Sequence, residues 1–317
     1  MKKVFLAIVS LACSLSALAQ DTRPIRILVG FPPGGSTDIV ARIFSDKLRE
    51  QLNRPVVIEN RPGNGGQVAA IQLKNAAPDG TTVMLTIDHT HVTIPLTFKD
   101  PGYDPLKDFS PIVGVAQYYN AMAASAKTDI KFLRDIGTWM KANPGQHNFG
   151  IPAAGSIPQF AGLIVAKSLG VQMEPIPYKG GAPLVQDLIA GQIPIGFGSL
   201  TELIEHHRGG RVRVIAVSGT QRAKAAPEIP TFLELGLKGI DKNPWLAFFG
   251  PAGLPPAYVQ SFNAAVRKAM DTPEAKERFV TIGIEATPSS PEELRSWVDD
   301  ALKYWGPVIR DSGYLLQ

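Results

Sequence analysis

A single cysteine, Cys13, stands in a chain of 317 residues. It falls within a leader-like start, so a chain cleaved after that start would hold no thiol. Disulfides, a cysteine nucleophile and a cysteine-ligated metal or cluster are then excluded, and export does not depend on a disulfide framework. Aromatic residues make up only 8% of the chain and no basic run interleaves with them. That pattern argues against nucleic acid as a partner. Long apolar runs are missing as well: Val4 to Val9 falls far short of the roughly 20 residues a bilayer-spanning helix needs.

Signature motifs of catalysis are also scarce. No Gly-Lys-Ser/Thr follows the early glycines, and G-x-G-x-x-G and H-E-x-x-H do not occur. The nearest approach to G-x-S-x-G is Ala154-Gly155-Ser156-Ile157-Pro158, which lacks the closing glycine. Glu292-Glu293 and Asp299-Asp300 read as a helix start and a solvated helix face. No nucleophile–base pair can be nominated, no cofactor motif is present, and an enzyme is not expected. A secreted hydrolase using Ser156 is the rival reading in that class.

What is present begins with a leader. Met1-Lys2-Lys3, the apolar stretch after it and Ala17-Leu18-Ala19 before Gln20 are the three parts of a secretory signal peptide, predicting removal of residues 1–19. A lipoprotein cut before Cys13 would leave a very short apolar core, with Ser10 where an aliphatic residue is usual. The formal net charge of +4 falls to +2 once Lys2 and Lys3 leave. A mild positive excess suits a small anion without demonstrating one.

Nearly 300 mature residues point to two domains. The spacing predicts strands at 25–29, 55–59 and 82–86, with helices at 37–52 and 68–77 between them. A second β/α series runs from Phe149 to Val217, and proline-led helices follow from Pro256, Pro273 and Pro291. This order predicts α/β architecture with parallel strands and right-handed crossovers. Two lobes are expected, the first from 20–121 plus 226–317 and the second from 122–225.

Gly30 to Asp38, wedged between the first strand and first helix, is the most informative segment. Its glycines can turn backbone amides outward, and Ser36 and Thr37 can cap the helix, whose dipole favours an anion. A tight turn without a ligand would have the same composition. Gly150 to Gln159 repeats the arrangement in the second series. Two such loops could oppose each other across one anion, or reflect only that every α/β unit contains such turns. Asp88, His89 and His91 close the third strand, and loop polarity or ligand hydrogen bonding suits two imidazoles better than a metal. His206-His207 reads as a solvated helix end.

Taken together, several segments resemble the Bug/TctC family of extracytoplasmic solute receptors, which serve tripartite tricarboxylate-type transporters. They include Gly30-Phe31-Pro32-Pro33-Gly34-Gly35-Ser36-Thr37-Asp38, Glu59-Asn60-Arg61-Pro62-Gly63-Asn64-Gly65-Gly66, Ala77-Pro78-Asp79-Gly80 and Tyr103-Asp104-Pro105-Leu106-Lys107-Asp108-Phe109. Pro177-Tyr178-Lys179-Gly180, Asp187-Leu188-Ile189-Ala190-Gly191-Gln192, Pro230-Thr231 and Gly250-Pro251-Ala252-Gly253-Leu254-Pro255 complete the set in order. The resemblance spans essentially the whole mature chain.

It implies a two-lobed periplasmic-binding-protein fold, type II-like, with a small organic acid in the interlobe cleft and membrane permease subunits as partners. The mono- or dicarboxylate, possibly aromatic, would be held by backbone amides and bridging waters. Carried over by position, the site would comprise Phe31, Pro33, Gly34, Gly35, Ser36 and Asp38 from the first loop. Ala153, Ala154, Gly155, Ser156 and Gln159 would come from the second, with Thr86, Asp88, His89, Gly198 and Ser199 lining the rest. Many members carry histidine where this chain has Gln159 and aspartate where it has Pro194, so the ligand cannot be copied from relatives. Trp245, Phe248 and Phe249 could wall an aromatic acid or belong to the core. A periplasmic sensor presenting its acid to a two-component kinase is the rival function.

Overall fold

The computed structural model describes residues 23–311 together with Tyr314 and Leu316. The expected leader, Cys13 and the cut before Gln20 lie outside the described residues. Ile27, Leu28 and Val29 have no exposed surface, as a strand covered on both faces requires. They form β1 (Ile25–Val29), paired in parallel with β2 (Val56–Asn60) and β3 (Thr82–Ile87); Ile27 lies opposite Ile58 and Val83. The crossovers are α1 (Ser36–Leu52) and α2 (Gln67–Lys74). In α1, Val40, Ala41, Phe44 and Leu48 make the buried stripe that a 3.6-residue period places on one face. Asn53 stops the helix in the left-handed conformation.

A π-turn at His89–Thr93 and α3 (Ile94–Thr97) lead to β4 (Phe109–Tyr118). The second series is β5 (Asn120–Ser125), α4 (Asp135–Ala142), β6 (Asn148–Ile151), α5 (Ile157–Leu169), β7 (Glu174–Pro177), α6 (Gly181–Ala190), β8 (Ile195–Ser199), α7 (Leu200–Arg208) and β9 (Val212–Val217). The chain then returns through β10 (Trp245–Pro251), α8 (Pro256–Met270), α9 (Pro273–Thr281), β11 (Ile284–Ala286) and α10 (Pro291–Asp311).

Two sheets result, ordered β11-β4-β10-β3-β1-β2 and β7-β6-β8-β5-β9. Late β10 inserts between β3 and β4, antiparallel to both, with Leu246 opposite Ile87 and Ala116. Phe248 packs on one face of that sheet with Phe44 and Phe262, while Trp245 and Phe249 pack on the other. All three aromatics are therefore core residues.

The chain passes between the sheets at Tyr119 and again after Val217. The second sheet starts earlier than residue 122, since Asn120 and Ala121 already pair with Ser199 and Gly198. Beyond residue 225, Phe232, Leu237 and Ile240 still pack into the core of that sheet. Residues 218–244 contain no helix or named strand, only a bridge from Val217 to Thr231. A segment without periodicity left the sequence pattern nothing to read there.

Candidate functional site

A cavity lies between the sheets, beyond the carboxyl ends of the parallel strands, where open α/β sheets place their ligands. It is lined by Phe31, Pro32, Gly35, Ser36 and Thr37 from the β1–α1 loop and by Ile87, Asp88 and His89 after β3. Tyr118 and Asn120 line it at the crossing, and Pro152, Ala153, Ser156, Ile157 and Pro158 at the start of α5. Gly181 and Ala182 open α6, and Ser199 and Glu202 open α7, on the remaining wall. Four helices, α1, α5, α6 and α7, thus present their first residues, and so their positive dipole ends, to one space. Among the described residues lining it there is no lysine or arginine. Lys179 borders an adjoining cavity that shares the Phe31, Pro32, Pro152 and Ala153 walls.

In the first loop Gly34 adopts φ +83, a left-handed conformation that glycine reaches without strain. Its amide donates to Asp38 Oδ2 at 2.9 Å and the Gly35 amide to the Pro32 carbonyl at 3.3 Å. Asp38 also accepts from Arg42 at 2.9 and 3.0 Å and from Asn60 Nδ2 at 3.0 Å. Burial pushes its carboxyl up, but the Arg42, Gly34 and Asn60 hydrogen bonds outweigh burial and hold it below its ordinary value. Pro33 and Gly34 are exposed, and they and Asp38 lie off the cavity wall. Neither Ser36 nor Thr37 caps α1: the cap residue is Gly35, with no side-chain cap bond. The Ser36 amide instead points across the cavity.

The second loop is fastened in the same way. Gly155, at φ +67, donates its amide to Gln159 Oε1 at 2.8 Å. Gln159 therefore organises the loop from behind, and Gly155 and Ala154 do not line the cavity. Ser156 does line it, and its Oγ is buried without a hydrogen-bond partner, so no base activates it as a nucleophile. Pro194 lies away from the cleft, where its carbonyl accepts from the Ser125 amide at 2.9 Å.

At the end of β3, Asp88 caps the following turn by accepting the His89 amide at 2.8 Å. Burial pushes its carboxyl up to about 7 and pushes the imidazoles of His89 and His91 down to about 4 and about 3. Both rings are therefore neutral near pH 7. His91 stacks on Phe249 with centroids 4.1 Å apart, away from the cavity. Thr86 is buried behind it, its Oγ1 3.4 Å from His91 Nδ1. Among the described residues no group of three metal-ligating side chains forms. Gly198 pairs with Ala121 within the second sheet and leaves the wall to Ser199.

Glu202 also lines the cavity, and the sequence reading does not single it out. Ser199 caps α7 by accepting the Thr201 amide, and Glu202, three residues on, reaches back to the Ser199 amide. This is a capping box, and the Ser199-Leu200-Thr201-Glu202 spacing was its sequence signal. The same carboxyl accepts the Ser36 amide from the other lobe at 2.8 Å. Burial pushes it up to about 7, against the opposing pull of the Ser36 and Ser199 amides. Tyr118, buried between, has its hydroxyl pushed far above its ordinary value by burial and by Asp88 and Glu202 together. Asn120 completes the wall with a buried Nδ2 that has no partner. No motif marks Tyr118 or Asn120, because their role follows from the chain crossing there.

Two α/β lobes, a double crossing and an interlobe cavity walled by helix starts define a two-lobed solute-binding protein. The chain is 30% identical to Protein BugT of Bordetella pertussis, covering 99% of this chain and 97% of BugT. It is 29% identical to periplasmic binding protein BugD, whose structure superposes with a TM-score of 0.88 over 93% of this chain and 99% of that one. R. palustris Rpa4515 with adipate gives 27% identity and a TM-score of 0.88, with the same coverage of 93% and 99%. The tripartite tricarboxylate transporter family receptor, TctC, matches residues 40–314, and the chain belongs to that family. These are solute-binding proteins, not enzymes. No described helix is long and apolar enough to cross a membrane.

Proposed function

We propose that the protein captures a small organic acid in the periplasm, in the cleft between its lobes, and delivers it to the membrane subunits of a tripartite tricarboxylate-type transporter. The observation that carries this reading is the pair of buried, unpartnered side chains on the cavity wall. Ser156 Oγ and Asn120 Nδ2 are both hydrogen-bond donors, and an unsatisfied buried donor is costly unless a ligand supplies an acceptor. A carboxylate does so, and the four helix N-termini favour its charge. The adipate in the Rpa4515 structure, a relative of the same fold, supports a carboxylate as the ligand class. A thermal-shift screen of the mature protein against organic acids tests the proposal. An acid at a hundred times its Kd adds about 2.7 kcal/mol of stability. A panel of mono- and dicarboxylates that leaves the melting temperature unmoved would remove the proposal.

A further inference from the structure

The Ser36 amide is the first-loop donor that faces the cleft, at the positive end of the 17-residue α1. An acceptor is expected there, and one is present: Oε1 of Glu202 accepts that amide at 2.8 Å. The carboxyl is closely held. A Cβ added at Gly35 would come 3.4 Å from Oε1, and one added at Gly181 would come 1.7 Å from Oε2. Its place thus depends on glycine at position 181, whereas a Cβ at Gly35 would only touch it. A ligand carboxylate brought to the same amide would find an acceptor already in place, with no donor of its own to offer.

Nothing basic on the wall offsets this. Asp88 brings a second, buried carboxyl from the other lobe beside the half-buried Glu202, and Tyr118 is influenced by both. The wall beside the α7 start also carries donors, for Asn120 pairs with Ser199 in the second sheet. Asn120 is 5% and Ser156 2% exposed, and Asn120 Nδ2 and Ser156 Oγ have no partner. An amide nitrogen can only donate, so Asn120 requires an acceptor.

We propose that Glu202 sets the ligand class of this cleft. It fills the first loop's acceptor position itself, so the bound acid offers Glu202 an ammonium or an amide and keeps its carboxylate for Asn120 and Ser156. The ligand is then an amino acid or an acid amide rather than a dicarboxylate. This inference rests on the reading of the cleft as an acid site.

Two series of matched length test it by calorimetry: adipate, adipamate and 6-aminohexanoate, then succinate, succinamate and 4-aminobutanoate. In the parent protein, the amide or amine of at least one series binds ten or more times more tightly than its dicarboxylate. Glu202→Ser, which clears the Ser36 amide, reverses that order. Glu202→Gln retains the reach back to the Ser199 amide and so guards against a folding defect. It should retain amide binding and lose the preference for the amine. If a dicarboxylate binds the parent more tightly than its amide and amine, and Glu202→Ser leaves that order unchanged, the inference falls while the acid site stands. If no member of either series binds the folded parent or either variant, the acid reading falls with it.

Discussion

The backbone amide of Ser36 on one lobe donates to Oε1 of Glu202 on the other across 2.8 Å. The Ser36 amide and hydroxyl thereby join the start of α1 to the capping box of α7, and the two lobes meet through a protein carboxyl. The wall that faces the first loop thus carries an acid of its own.

Glu202 should leave a signature in the pH dependence of stability. Its ordinary value is 4.5 and burial raises it to about 7. Between those values the folded protein retains a proton that the unfolded chain has released. Its contribution to stability therefore falls as pH rises from about 4.5 to about 7 and is level above that. Asp88 acts in the same direction, while His89 and His91, pushed down by burial, oppose it below pH 6.5. These three are common to parent and variant, so the difference between them isolates Glu202. Urea unfolding at pH 5 and pH 8 should show Glu202→Gln gaining on the parent by on the order of 1–3 kcal/mol. A difference independent of pH would mean the carboxyl is ionised throughout.

Ser156→Ala separates binding from folding. The hydroxyl has no partner in the protein, so its loss should change stability by less than about 0.5 kcal/mol. Affinity for the bound acid should fall roughly ten- to a hundredfold, because a hydrogen bond to a charged group is worth roughly 1.5–3 kcal/mol. Calorimetry and thermal melting on the same preparation check both halves. Unchanged affinity would place the carboxylate elsewhere.

Asp38→Ala should act the other way round. It strips the acceptor from the Gly34 amide, Arg42 and Asn60 together, and should destabilise the fold by about 2–4 kcal/mol. Asp38 is held below its ordinary value of 3.8, so its stabilisation is present above that pH and is lost as pH falls below it. Denaturant midpoints between pH 2.5 and 6 should show a smaller loss on acidification in the variant than in the parent. A variant as stable as the parent at pH 7 would show the network to be idle.

Gly34→Val distinguishes strain from obstruction. A Cβ there would meet nothing within 4 Å, so bulk is no obstacle, but a β-branched residue at φ +83 is strained by roughly 1–3 kcal/mol. Relaxing that strain moves the Gly34 amide off Asp38 and tilts the loop. Stability and affinity should therefore fall together. A loss of affinity alone, measured against an unchanged unfolding midpoint, would mean that Gly34 touches the ligand.

Gly181→Ala offers a test of the cleft that leaves Glu202 in place. Its Cβ would lie 1.7 Å from Oε2, so the carboxyl must move off the Ser36 amide. Selectivity should shift toward the dicarboxylate, as for Glu202→Ser. Calorimetry with adipate and 6-aminohexanoate decides it, and an unaltered ratio of their affinities would count against the role given to Glu202.

Local pattern alone determined the parallel strands β1, β2 and β3, the buried stripe of α1, the proline-led starts of α8, α9 and α10, and the two glycine turns. Each depends on neighbours within a few residues, where periodicity and turn chemistry act directly. The family motifs carried the two-lobed architecture with them. Tertiary structure alone decided that β10 enters the first sheet between β3 and β4, and that residues beyond 225 still serve the second core. It also decided that Tyr118, Asn120 and Glu202 wall the cavity, whereas Asp38 and Gln159 fasten their loops through amides four residues away. The β10 insertion and the cavity wall depend on distant groups: Ser36 and Glu202, 166 residues apart, meet only because both lobes fold and close. The capping-box spacing at Ser199 and Glu202 could announce a helix start, but the direction in which its carboxyl faces is a property of the opposite lobe.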